Sequence, residues 1–163
     1  MTDFSHAYNV GSSCTALARS YAFDHLLVLI VEDHEDTRFL LRTLLERRGM
    51  RVCEAEDGVA GVRAAEELRP DLILMDWSLP RMDGLSATRF VRACPQLSHT
   101  VIVILSGHAA PESQKVARDA GCCEYLVKPF ELDQLDRVLS KHLSLRLLGR
   151  QARCPSVPER DVL

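Results

Sequence analysis

Long hydrophobic runs are missing from this 163-residue chain: the longest uninterrupted one, Leu26 to Val31, is far shorter than a membrane span of about 20 residues. Residues 1 to 23 also lack a basic start followed by an apolar core, so no secretory leader is read there and a cytoplasmic protein with no membrane association is expected. An excess of charge of either sign is missing too, with 20 Lys and Arg against 23 Asp and Glu, formally −3. Without a polybasic field to attract nucleic acid or an anionic surface, no direct nucleic-acid binding is expected. Zinc-type spacing is absent among Cys14, Cys53, Cys94, Cys122, Cys123 and Cys154. A chain of this size with a normal apolar fraction needs no disulfide staples, so these cysteines read as small apolar residues. Internal repeats and low-complexity tracts are absent as well.

What is present is a regular alternation. Short apolar runs at Leu26 to Val31, Val52 to Ala55, Leu72 to Met75, Val101 to Leu105 and Tyr125 to Val127 read as buried strands, with helical-period segments between them. The first helix is expected near Asp36-Thr37 with Phe39, Leu40, Leu44 and Leu45 inward, stopping at Arg47-Arg48-Gly49. The second runs from about Gly58 to Leu68, stopped by Pro70, and the third from Leu85 to Ala93, stopped by Pro95. A fourth starts around Pro111-Glu112 and ends at Gly121. The fifth follows Pro129 and sets Leu132, Leu135, Val138, Leu139, His142 and Leu143 on one stripe. Five strands alternating with five helices predict an α/β three-layer sandwich with a parallel sheet covered on both faces. One domain over 24–148 is expected, with 1–23 as an N-terminal extension and 149–163 as a tail.

In open parallel sheets, sites form beyond the carboxyl ends of the strands. Glu32, Asp33, Asp76, Ser106 and Lys128 all fall at such ends. Three converging carboxylates raise one another's pKa unless a cation sits among them, and Mg²⁺, with its preference for oxygen ligands, is the natural one. A carboxylate held against a phosphodonor can attack phosphorus, so the constellation points to phosphoryl chemistry. Position alone leaves Asp76 open as metal ligand or nucleophile, and Glu32 and Asp33, taken alone, read equally well as solvated loop acids.

The segments Val31-Glu32-Asp33, Leu74-Met75-Asp76, Leu79-Pro80-Arg81-Met82-Asp83-Gly84, Ile104-Leu105-Ser106-Gly107 and Tyr125-Leu126-Val127-Lys128-Pro129-Phe130 resemble the signature of response-regulator receiver domains of two-component signalling. The likeness covers roughly residues 25 to 147, with 43 residues from Asp33 to Asp76, 30 to Ser106 and 22 more to Lys128. It implies a flavodoxin-like sheet of order 2-1-3-4-5. It implies Asp76 as the phosphoacceptor, Lys128 pairing with Asp76 and then with the phosphoryl group, and the Ser106 hydroxyl binding a phosphoryl oxygen. Mg²⁺ would be bound by Asp33, by Glu32 directly or through water, by Asp76 and by the main-chain carbonyl of Ser78.

Ser106 and Tyr125 would form the switch, with Tyr125 turning from exposed to buried; plain core is the competing reading of that tyrosine. Ser78 and His108 fall at positions that tune phosphoryl lifetime in this family, and a cis Lys128-Pro129 bond is expected. Trp77 reads either as a shield or partner contact, or as a half-buried residue without a role, and Asp83-Gly84 reads as turn and helix-start geometry.

The implied partners are a sensor histidine kinase or histidine phosphotransfer protein and a downstream protein target. A homodimer through the fourth helix, fifth strand and fifth helix is a further expectation, drawn from Leu143, Leu145, Leu147 and Leu148. With few residues after the last helix, a stand-alone receiver is expected rather than a turnover enzyme, or else a fragment of a larger regulator or hybrid kinase. A phosphate-independent interaction module is the alternative class. A small hydrolase working through an aspartyl intermediate lacks a recognisable general acid and substrate cap.

Overall fold

The computed structural model describes residues 26–147, so the segments 1–23 and 149–163, and Leu148, lie outside the described residues, as do the side chains of 144–147. Five parallel strands, β1 (Leu27–Val31), β2 (Arg51–Ala55), β3 (Leu72–Asp76), β4 (Val101–Ser106) and β5 (Glu124–Val127), form one sheet. Its order is β2-β1-β3-β4-β5, as the resemblance implied. Five helices alternate with them: α1 (Glu35–Glu46), α2 (Gly58–Leu68), α3 (Gly84–Ala93), α4 (Pro111–Asp119) and α5 (Leu132–Leu147), with a 3₁₀ turn at Pro95–Leu97 after α3.

Side chains alternate across a strand, so each strand feeds two cores. Val28, Ile30, Leu72, Leu74, Val103 and Leu105 pack with Leu41 and Leu45 of α1 and Leu135, Leu139 and Leu143 of α5. Leu29, Val31, Ile73, Met75, Ile102 and Ile104 pack on the opposite face with residues of α2, α3 and α4, among them Ala65, Leu85, Val91 and Ala117. Strands β1, β3 and β4 are buried almost throughout and therefore read as continuous apolar runs. The edges β2 and β5 are only partly covered.

Three expected inward positions are corrected. Phe39 and Leu40 are 57% and 56% exposed; α1 buries Leu45, as expected, together with Leu41 in their place. At about 100° per residue, Phe39 lies roughly 160° around the helix from Leu41, so a stripe through 41 and 45 excludes it. The Arg42 guanidinium lies 5.3 Å from the Phe39 ring centre, giving that outward ring a cationic neighbour. On α5, Leu132 is 48% exposed while Leu135, Val138, Leu139 and Leu143 are buried, because the stripe begins one turn into the helix. Among the described cysteines, Cys53, Cys94 and Cys122 are free thiols. Burial raises the Cys122 thiol to about 11, so it stays protonated and behaves as an apolar group.

Turn chemistry sets the helix ends. Gly49, at φ 83°, closes α1, and the Met50 amide donates to the Leu45 carbonyl at 3.2 Å. Asp57 caps α2 through the Ala60 amide at 2.9 Å. Asp83 caps α3 through the amides of Leu85 at 3.0 Å and Ser86 at 2.9 Å. Burial works to raise the Asp83 carboxyl, but these hydrogen bonds outweigh it and hold the group below its usual range.

Leu45→Ala is expected to destabilise the domain by about 2–5 kcal/mol in urea unfolding, whereas Leu40→Ala should change stability by no more than about 0.5 kcal/mol. Equal losses in the two variants would mean that α1 is rotated from the orientation described.

Candidate functional site

The carboxyl ends of β1, β3, β4 and β5 gather the chemistry-bearing residues. Asp76 is the last residue of β3 and is only 5% exposed. Beyond it the chain folds back on itself: the Ser78 amide donates to Asp76 Oδ2 at 2.6 Å, and the Gly84 amide to the Trp77 carbonyl at 2.9 Å. This return brings α3 so close that a Cβ on Gly84 would lie 2.0 Å from the Asp76 carbonyl oxygen. Glycine at 84 thus follows from the close approach, beyond its place at a helix start.

Lys128, just past β5, closes the site. Its amide donates to the Ser106 carbonyl at 2.7 Å, extending the β4–β5 pairing by one step, and the bond to Pro129 is cis. Its ammonium donates to Glu32 Oε2 at 2.6 Å and, in a shorter contact, to Asp76 Oδ1. Glu32 is 1% exposed, so two carboxylates from neighbouring strands are taken out of water together with one cation between them. Burial works to lower the lysine pKa, but the hydrogen bonds and charges of Asp76 and Glu32 prevail and raise it above 10.5.

Glu32 also accepts the His34 amide at 3.3 Å through its other oxygen. Asp33 is the accessible acid, with its Oδ1 3.9 Å from His34 Nδ1. Among the described residues, Glu32, Asp33 and His34 offer ligand atoms lying within 4.8 Å of one another, a donor set suited to a divalent cation. The sequence pointed to Glu32, Asp33, Asp76 and Ser78 for that role and passed over His34. Asp76 lies across Lys128 from this group, and Ser78 is tied to Asp76 through its amide.

The structure also brings in residues the sequence did not single out. Arg38, on the first turn of α1, donates to the main-chain carbonyls of Glu32 at 2.7 Å and Asp33 at 3.3 Å, clamping the acidic loop from behind. Glu56 lies 3.5 Å from the same guanidinium. Asp57, 2% exposed, pairs with Arg81, a residue held at φ 64° in the loop between Asp76 and α3. Arg38 acts on main-chain carbonyls, which left no periodic signal in the sequence. The Asp57–Arg81 pair joins two loops distant in the chain and left none.

Ser106, 2% exposed, does not face the Asp76–Lys128 pair through a hydrogen bond. Its hydroxyl lies 3.1 Å from His108 Nδ1 and accepts the His108 amide at 3.0 Å. The Tyr125 hydroxyl donates to the His108 carbonyl at 2.6 Å. Trp77, adjacent to Asp76, lies 5.6 Å from the His108 ring and 6.2 Å, edge-on, from the Tyr125 ring. Ser106 and Tyr125, expected as a switch pair, are therefore linked through His108.

Comparison with known proteins agrees with this fold. A family described as the response regulator receiver domain matches residues 28–140. The KDP operon transcriptional regulatory protein KdpE of Escherichia coli is 43% identical over 108 residues, 66% of this chain and 47% of that protein. The polar-differentiation response regulator DivK of Brucella anthropi is 32% identical over 116 residues, 71% of this chain and 94% of that protein. This chain thus spans about half the length of KdpE but nearly all of DivK.

Among solved structures, the receiver domain of the sensor histidine kinase PA1611 from Pseudomonas aeruginosa, with a magnesium ion coordinated in its active site cleft, superimposes with a TM-score of 0.68. It is 36% identical, covering 73% of this chain and 98% of that one. The chemotaxis protein CheY4 of Vibrio cholerae gives a TM-score of 0.69 at 30% identity, covering 73% and 99%. No helix among the described residues is long and apolar enough to cross a membrane. Strand order, matched span and the extent of DivK covered agree, and the chain belongs to the response regulator receiver domain family.

Proposed function

We propose that Asp76 accepts a phosphoryl group from a phosphohistidine of a sensor histidine kinase or phosphotransfer protein, and that the altered surface then engages a downstream protein. The observation that carries this reading is the buried carboxylate of Asp76 at the tip of β3, paired with the Lys128 ammonium. In the transfer, an Asp76 oxygen bonds to phosphorus as the phosphorus–nitrogen bond of the donor breaks, and the electron pair leaves with the imidazole. Lys128 holds the Asp76 carboxylate in place beforehand and stands next to the charge that develops on the phosphoryl oxygens. The Ser78 amide fixes the carboxylate plane through Oδ2. A Mg²⁺ held by Glu32 and Asp33, with Asp76 and the Ser78 carbonyl contributing, would neutralise phosphoryl charge.

The oxygen-rich donors at the end of β1 support that assignment. Ser106 and Tyr125 read the phosphoryl group, with Ser78 and His108 controlling its lifetime. A switch driven from 1:99 to 99:1 needs roughly 5.5 kcal/mol of differential binding, which charge-assisted bonds from Lys128 and Ser106 can supply. The output runs through α4, β5 and α5, the elements that follow Ser106, to a protein partner or a second copy of the chain. The chain acts as a cytoplasmic signalling domain that promotes only its own phosphorylation and dephosphorylation.

Acetyl phosphate with Mg²⁺ should add one phosphoryl group, lost in Asp76→Asn, and beryllofluoride should change the fluorescence of Trp77, the single tryptophan. A chain that gains no mass and shows no fluorescence response would instead be an interaction module that uses the fold without phosphate. The raised Lys128 pKa gives a second outcome. Stability from its charge is fully present below about pH 10.5 and is lost as pH rises through the higher folded-state value. Lys128→Met should therefore flatten the alkaline limb of unfolding free energy against pH; parallel wild-type and variant slopes above pH 10.5 would exclude a held ammonium.

A further inference from the structure

The Ser106 hydroxyl has one proton to donate, and in this structure that proton has a competing acceptor. Ser106 Oγ accepts the His108 amide at 3.0 Å, which fills a lone pair and leaves the hydroxyl hydrogen for His108 Nδ1 at 3.1 Å. This assignment uses the neutral imidazole with its proton on Nε2, the tautomer in which Nδ1 accepts. The two bonds close a small ring around residues 106 to 108, so the hydroxyl is turned along its own loop.

The imidazole is held in place from two sides. The Trp77 ring lies 5.6 Å away, and the Tyr125 hydroxyl fixes the main chain of residue 108 by donating to its carbonyl at 2.6 Å. Ser106 is 2% exposed, so water is poorly placed to replace His108 as a partner.

We infer that His108 is a positioning residue that withholds the Ser106 hydroxyl from the phosphoryl group, setting the threshold at which phosphorylation throws the switch. The inference rests on the reading of Asp76 as phosphoacceptor and deepens it, adding a role distinct from phosphoryl lifetime. For Ser106 to donate to a phosphoryl oxygen on Asp76, the bond to Nδ1 must break. Phosphoryl binding is thus weakened by about one net hydrogen bond. The main-chain bonds at 108 do not depend on the imidazole, so a side-chain substitution isolates the competition.

The experiment is a beryllofluoride titration with saturating Mg²⁺, read by Trp77 fluorescence, on wild type, His108→Ala and His108→Phe. Phenylalanine keeps an aromatic ring against Trp77 but has no Nδ1. Both variants are expected to bind beryllofluoride roughly two- to twelvefold more tightly than wild type, the ratio one net hydrogen bond commands. In wild type, the nitrogen chemical shift of His108 Nδ1 should move on beryllofluoride binding, and Ser106→Ala should move it the same way without ligand. Unchanged or weaker binding in both variants overturns the inference. Tightening in His108→Ala alone also overturns it, because ring bulk and not the nitrogen would then be the obstacle. A wild type that gives no response overturns the phosphoacceptor reading itself, whereas a responding wild type with unshifted variant midpoints overturns only the role of His108.

Discussion

Two carboxylates buried on adjacent strand tips and one ammonium between them make the constraint on which the rest of this structure depends. Glu32 and Asp76 are 1% and 5% exposed, and each carries a charge whose removal from water costs several kcal/mol if left unpaired. Lys128 supplies the partner to both, which ties the ends of β1, β3 and β5 together by a single side chain. The pairing does not by itself make the fold more stable than an apolar isostere would. Its consequence is specificity: a shift of any one tip leaves a buried charge unmatched.

The surrounding loops are built to hold those tips in register. Asp83 caps α3 and lets Gly84 approach the Asp76 carbonyl, where any side chain would intrude. Arg38 anchors the carbonyls of the acidic loop, and the Asp57–Arg81 pair ties the loop after β3 to the start of α2. Because Asp57 also caps α2, one buried carboxylate serves a helix end and a loop tether together. These contacts lie in the loops beyond the strand ends, leaving the sheet interior to apolar packing.

That division explains what could be read from the sequence. Strands β1, β3 and β4 are buried on both faces and so appear as Leu26 to Val31, Leu72 to Met75 and Val101 to Leu105 without interruption, which marked their ends and the acids and serine sitting there. The edge strand β2 was visible only through Val52 to Ala55, and its first residue, Arg51, is exposed. Rotation of α1 was misjudged because Phe39, Leu40, Leu41, Leu44 and Leu45 offer more apolar side chains than one face can hold; only packing against Val28 and Ile30 decides among them. His34, Arg38 and the Asp57–Arg81 pair act through main-chain geometry or across loops far apart in sequence, for which periodicity carries no signal.

The two halves of the site communicate through the main chain as well as through side chains. Lys128 carries the acidic half on its ammonium while its amide donates to the Ser106 carbonyl, the residue whose hydroxyl is engaged by His108. Trp77 makes a second bridge, its amide donating to the Leu105 carbonyl at 2.9 Å while its ring meets His108 and Tyr125. Under the proposed phosphorylation, movement of Asp76 or of the Lys128 ammonium would reach β4 and its loop by these bonds. A packed core does not deform smoothly, so such a displacement is resolved by exchanging one set of partners for another. On the proposed reading, the hydroxyl of Ser106, buried and with a single proton to give, would be the point of that exchange.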